Sequence, residues 1–217
     1  MIITIDGPAG SGKSTTARAL AGRLGFEVLD TGAMYRAVAL AVLRSRAAES
    51  DVAGLEAVIA GCQLDVAPGR VLLNGEDVTG QIRTAEVTSA ASRLAAVPEV
   101  RRFLVGLQRQ IGRNRNMVSE GRDQGTVVFP DAARKFFLHA DPAERARRRW
   151  LELRGRGVDV TLEAVLADQN ARDQRDASRD ASPMTPAADA VVIDTTHLTL
   201  PDVLERMEQE IRRCSPP

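Results

Sequence analysis

Apolar positions fall into two rhythms along this chain. Met1–Asp6 is a short run rich in β-branched residues that ends at Gly7-Pro8, and it predicts a buried strand. Lys13–Leu24 carries apolar residues at helical spacing and stops at Gly25, a residue suited to a helix C-cap. Glu27–Leu29 predicts a second short strand, and Thr31–Leu43 a second helix. Strand, glycine loop, helix, strand, helix is the opening of a parallel α/β sheet.

The rhythm changes near Cys62. Cys62–Val66, Arg70–Leu73 and Glu76–Thr79 are short and are separated by Pro68-Gly69 and Asn74-Gly75, both hairpin turn signals. They predict a small antiparallel meander, with residues 62–95 as an insert between core segments 1–61 and 96–217. A helical pattern runs from Pro98 to about Arg113, with proline in the first helical turn. Met117–Ser119 and Lys135–His139 read as further core strands. Asp141, Pro142 and Glu144 are the N-cap, N1 and N3 of a helix through Leu153. Leu162–Gln174 predicts another helix, Ala190–Ile193 a last strand, and Leu200–Arg213 a closing amphipathic helix.

A length of 217 residues suits one domain with room for an inserted subdomain. Lysine and arginine number 29, as do aspartate and glutamate, so the net charge is zero. That lacks the electrostatic footprint of a general nucleic-acid binder. No apolar run approaches the ~20 residues of a membrane span, and the opening segment lacks the charged start of a signal peptide. The two cysteines, Cys62 and Cys214, are far apart and without metal-site spacing. They point to a reducing, cytoplasmic setting. His139 and His197 each stand alone and read as structural, so zinc is not expected. Of the basic residues only Lys13 and Lys135 are lysines, so each lysine is a marked choice.

Lys13 falls in Gly7-Pro8-Ala9-Gly10-Ser11-Gly12-Lys13-Ser14, which fits G-x-x-x-x-G-K-[ST] after a strand and before a helix. Glycines there let backbone N–H groups turn toward phosphate oxygens, with the helix dipole behind them. Lys13 would reach the β- and γ-phosphates, and the Ser14 hydroxyl could ligate Mg²⁺. Such loops serve GTPases, ATP-driven motors and small kinases. With only two lysines, neither in an N-K-x-D run, the sequence argues against a Ras-like GTPase. No L-S-G-G-Q transporter signature occurs, and a small-substrate phosphotransferase is left.

An enzyme of that kind must neutralise two anions and keep water from the γ-phosphoryl group. Arg145, Arg147, Arg148, Arg149, Arg154 and Arg156 cluster between Asp141 and Gly157, with Arg145, Arg148 and Arg149 on one helical face. Taken alone, this is a solvated face balanced by Glu144 and Glu152. Opposite a P-loop, and followed by Gly155-Arg156-Gly157, the better reading is a mobile lid within about 145–160. Two mixed-charge runs remain, Ala171–Asp180 and Glu120-Gly121-Arg122-Asp123. The second follows a strand end, where open α/β sheets bind ligands.

Together these residues resemble the bacterial cytidylate kinase family. The resemblance rests on Ile5–Ser14, Leu29–Arg36, Leu73–Thr79, Ile82-Arg83-Thr84, Glu120–Asp123, Gly125–Ala132, Arg172-Asp173 with Arg175-Asp176 and Arg179, Ser182-Pro183 and Ala188–Ala190. These pieces keep the family's order over almost the whole chain. It implies an α/β, adenylate-kinase-like P-loop fold: a five-stranded parallel core sheet flanked by helices, a small antiparallel acceptor-binding insert and a helical lid. It also implies the reaction ATP + CMP ⇌ ADP + CDP, with dCMP accepted and Mg²⁺ required, in a monomer binding neither nucleic acid nor membrane. Gly7 through Ser14 and Thr15 would bind ATP, and Lys13, Arg122 and Arg148 would be catalytic. Thr31, Tyr35 and Arg36 would lie in the acceptor segment, with Arg36, Arg101 and Arg122 near its phosphate. Ser92, Asp123 and Arg179 would read cytosine, and Arg172 and Asp176 would meet the sugar.

Cytosine's N4 donor beside N3 and O2 acceptors is the complement of a carboxylate plus a guanidinium. Uracil would set O4 against the Asp123 carboxylate, so CMP is expected over UMP. Three positions depart from the family pattern: Glu120 where aspartate is common, Gln124 where an aliphatic residue is usual, and Thr31 where serine is frequent. Other readings remain at this stage: the same architecture acting on UMP, dTMP, AMP or shikimate, or a nucleotide-binding module without turnover.

Overall fold

A computed structural model describes residues 1–48, 51–67, 69–178 and 183–213. The main sheet has five parallel strands in the order β2 (Glu27–Asp30), β6 (Met117–Glu120), β1 (Ile2–Asp6), β7 (Arg134–His139) and β8 (Val191–Asp194). The first strand in sequence is therefore the central one, and parallel neighbours require the helical crossovers that the alternating sequence pattern signalled. Side chains of β1 alternate as a pleated strand demands. Ile3 and Ile5 enter a core with Ala17, Leu20 and Ala21 of α1 (Lys13–Leu24), Phe136 and Leu138 of β7, and Val203, Leu204 and Met207 of α8 (Leu200–Arg212). Each large side chain fully buried there contributes about 1.5–3 kcal/mol. On the other face, Thr4 and Asp6 meet a π-helical turn at Gln124–Val128.

A second core gathers α2 (Thr31–Ser45), α3 (Val52–Ala60), α4 (Ala85–Leu94) and α5 (Pro98–Gly112) around Met34, Val38, Leu55, Leu94 and Leu104. Leu73 and Val78 join it from the antiparallel sheet of β3 (Leu64–Ala67), β4 (Arg70–Leu73) and β5 (Glu76–Asp77). The meander thus sits as expected, but the stretch after it turns helical, with a 3-10 turn at Gln81–Arg83 and then α4. Thr84 caps α4 by accepting the Val87 N–H. α6 (Pro142–Gly155) and α7 (Leu162–Ala177) pack together beyond β7, and Asp141 caps α6 by accepting the N–H groups of Ala143 and Glu144. The Trp150 indole donates to the Val160 carbonyl and ties the connector to α6.

The carboxyl edge of the sheet is where the chain places its acids. The register aligns Ile5 and Asp30 with Glu120, so β1, β2 and β6 end together at Asp6, Asp30 and Glu120.

Candidate active site

The loop between β1 and α1 needs its glycines. Gly7, Gly10 and Gly12 have φ of 140°, 78° and 93°, a region that L side chains rarely adopt. A Cβ on Gly7 would lie 1.9 Å from the Leu138 carbonyl oxygen, so no side chain fits there. Gly7→Ala is expected to destabilise the fold by about 3 kcal/mol or more, read as a lower denaturant midpoint; an unchanged midpoint would contradict this packing.

Lys13 opens α1, is 5% exposed, and donates from Nζ to the Pro8 carbonyl at 2.7 Å. Burial, and then the nearby Arg122 guanidinium, push the Lys13 ammonium well below the usual lysine range. Ser14 Oγ donates to Glu120 Oε1 at 2.5 Å, and Glu120 is itself buried. Burial and then the Asp30 carboxylate push the Glu120 carboxyl up. Thr31 donates from Oγ1 to the Glu120 carbonyl at 2.7 Å, which locks the start of α2 to the end of β6. Asp30 caps that helix, accepting the Ala33 N–H at 2.8 Å.

Asp6 accepts both the Gln124 and Gly125 N–H groups at 2.8 Å and so fixes the turn after Glu120-Gly121-Arg122-Asp123. Burial outweighs those bonds and raises its pKa from 3.8 to about 6. The folded state then holds this proton more tightly than the unfolded chain, so Asp6's contribution to stability falls as pH rises from 3.8 to about 6. Asp6→Asn is expected to flatten the stability profile in that window, measured by urea unfolding at several pH values; an unchanged slope would contradict it.

Beyond Lys13 the arginines converge. Arg122 Nε donates to Asp176 Oδ2 of α7 at 2.9 Å. Burial opposes the charge on Arg122, but Asp176 prevails and holds its pKa up. Arg101 of α5, 6% exposed, is paired with Asp123, which is 4% exposed, and donates to the Tyr35 hydroxyl at 3.4 Å. Arg36 lies 3.7 Å from Asp30, yet burial pushes its pKa down. Arg172 is pushed down to about 10, first by burial and then by Arg122. The Nε atoms of both Arg36 and Arg172 are buried without hydrogen-bond partners. Unpartnered Nε donors on mutually repelling guanidiniums are what a bound phosphate would satisfy.

Other expected residues make contacts within the protein. Ser92 accepts from Arg175 Nε at 3.3 Å, linking α4 to α7. Arg148 donates to Glu144 at 2.9 Å and to the Thr195 carbonyl at 2.6 Å, so its guanidinium lies against the segment after β8. The arginine that touches the P-loop is Arg145, which donates to the Ala9 carbonyl at 3.0 Å. Arg179 and Ser182 lie outside the described residues, as does Cys214. Cys62 is half-buried, with its thiol on the Val58 carbonyl. The sequence placed Arg145 in the lid cluster and Arg83 in the insert without a role for either, and gave no signal for Asp6; the charge of Arg83 acts on Arg36. For Arg145 a signal was present, since it stands in the first turn of the helix capped by Asp141.

Comparisons with known proteins identify the relatives of this chain. A family profile described as Cytidylate kinase matches residues 3–213. A curated protein of Syntrophotalea carbinolica named Cytidylate kinase is 49% identical over 97% of this chain and 92% of its own length. One of Solibacter usitatus with the same name is 46% identical over 98% of this chain and 92% of its own length. One of Pasteurella multocida, again with that name, is 44% identical over 94% of this chain and 92% of its own length. Among solved structures, shikimate kinase from Bacteroides thetaiotaomicron superposes with a TM-score of 0.52 at 11% identity, covering 98% of each chain. An uncharacterized protein of Eubacterium ventriosum gives 0.53 at 12% identity, covering 98% of each. These last two speak for the fold alone. Among the described residues, no helix is long and apolar enough to cross a membrane.

Proposed function

This chain belongs to the cytidylate kinase family, and from that premise we propose that it transfers the γ-phosphoryl group of ATP to CMP and to dCMP, forming ADP and the cytidine diphosphate. The observation that carries this reading is the buried P-loop lysine, Lys13, beside Arg122, together with the buried Nε donors of Arg36 and Arg172 that have no hydrogen-bond partner. Backbone N–H groups and Lys13 would hold the ATP phosphates, and Arg36, Arg101 and Arg122 the phosphate of the acceptor. That acceptor oxygen is already ionised at neutral pH, so no general base is needed. Positioning and charge neutralisation would do the catalysis.

Substrate would displace pairings that the site makes within itself. The Asp123 carboxylate and Arg179 would read cytosine, with Ser92 at the edge of the base. Arg172 and Asp176 would hold the sugar, with Thr31 and Tyr35 lining the acceptor segment. Residues 62–95 would be the acceptor-binding insert, and 145–160 the lid from which Arg148 would act.

Mg²⁺ fits the site, because the Ser14 hydroxyl and the buried Glu120 carboxylate form a hard-oxygen pair. Bound with ATP, it would neutralise phosphate charge. In this reading the enzyme works as a cytoplasmic monomer in pyrimidine nucleotide metabolism. The test is product analysis by ³¹P NMR of protein with ATP, Mg²⁺ and CMP: ADP and CDP in equal amounts are expected, and ADP with inorganic phosphate but no CDP would overturn the reading.

A further inference from the structure

We propose that Arg145 and Asp173 are a positioning pair that sets the shape of the P-loop from behind, acting on the nucleotide donor and not on the acceptor. The inference rests on the reading of that loop as the ATP site.

Arg145 stands in the first turn of α6 and is 5% exposed. Its guanidinium is anchored from Nε, which donates to the Ala140 carbonyl at 3.0 Å, and from Nη1, which donates to the Ala9 carbonyl at 3.0 Å and to Asp173 Oδ2 at 2.5 Å. Ala9 lies between Gly7 and Gly12, in the stretch whose N–H groups must face phosphate. A carbonyl in that stretch has to point elsewhere, and a buried cation behind the loop holds it there. Gly10 shows how tightly α6 and α7 press on the loop. With φ of 78°, its Cβ would lie 2.9 Å from Arg145 Cβ, from the Arg145 carbonyl oxygen and from Gln169 Nε2.

A buried arginine needs a counter-ion, and Asp173 supplies it from α7. Asp173 Oδ1 is buried with no hydrogen-bond partner, as is Gln169 Oε1 one turn earlier. Among the described residues, Asp173's one ion pair is that with Arg145. The pair thus fixes a donor-side carbonyl from the same helix that carries Arg172 and Asp176 on the acceptor side. This makes a positioning role separable from a structural one. General damage to α7 would disturb the acceptor residues too, whereas loss of the loop's shape would be felt by ATP alone.

The test compares wild-type protein with Asp173→Asn, which keeps the size of the side chain but drops its charge. Because this leaves Arg145 buried without a counter-ion, the double variant Arg145→Met/Asp173→Leu, which removes both charges, is made alongside. Steady-state kinetics give kcat and each KM, calorimetry gives Kd for ATP with Mg²⁺, and circular dichroism checks the fold. Both variants are expected to raise KM and Kd for ATP about tenfold and lower kcat about tenfold. KM for CMP should stay within about twofold of wild type, since Arg122, whose charge Asp173 also supports, keeps its direct ion pair with Asp176. Unchanged ATP binding in the folded double variant would overturn the proposal, as would equal weakening of ATP and CMP. Absence of CMP-dependent turnover in the wild-type protein would sink the functional reading instead, while the calorimetric comparison would still decide the role of this pair.

Discussion

Lys13→Ala is expected to lower kcat by about a thousandfold while leaving the fold intact. The scale is that of removing a preorganised charge aimed at developing negative charge. Its cause lies in the electrostatics of the loop. Burial and Arg122 disfavour the Lys13 ammonium in the protein without nucleotide, and phosphate oxygens beside it would favour that charge. Removing the side chain deletes one bond to the Pro8 carbonyl and relieves a desolvated cation, so the melting temperature should hold or rise. Steady-state kinetics and a thermal melt check both halves of the expectation. A variant keeping more than about a tenth of wild-type kcat would remove the lysine from its role.

The second large effect is expected at Asp123. Asp123→Asn should lower kcat/KM for CMP by about a hundredfold and narrow the preference for CMP over UMP by a similar factor, because an amide can turn its donor toward the O4 of uracil. Asp123 is buried against Arg101, so part of the loss will come from an arginine left without its partner. A double-mutant cycle with Arg101→Met separates that share. Asp123 also helps to raise the pKa of Asp6, so the same substitution should move the pH midpoint near 6 downward. An unchanged CMP/UMP ratio would contradict the base-reading role.

The main sheet was legible in the sequence because its strands are short apolar runs and most of the connections between them have helical spacing; the β6–β7 connection instead passes through the turn at Gln124–Val128. Helices α1 and α6 begin where Lys13 and Asp141-Pro142 indicated. Two elements escaped. Val52–Ala60 is apolar nearly throughout, so its period is hidden, and it forms α3 by packing on α2 and α5. The helical half of the 62–95 segment lay behind the strong hairpin signals of Asn74-Gly75.

At the site, sequence supplied residue types but not partners. Nothing in the spacing says that Arg122 meets Asp176, fifty-four positions away, or that Arg101 meets Asp123. Helical periodicity put Arg145 and Arg148 on one face and could not tell which would meet the P-loop. Packing decides that: Arg145 reaches Ala9, while Arg148 turns to Glu144 and Thr195.

The most direct measurement is ADP release by the wild-type protein with ATP and Mg²⁺, offered CMP, dCMP, UMP, dTMP, AMP and shikimate in parallel. Rapid turnover with CMP and dCMP, with little from the others, is the predicted result. Turnover with a different acceptor, or with none of them despite ATP binding, would contradict a kinase built to phosphorylate cytidine monophosphates.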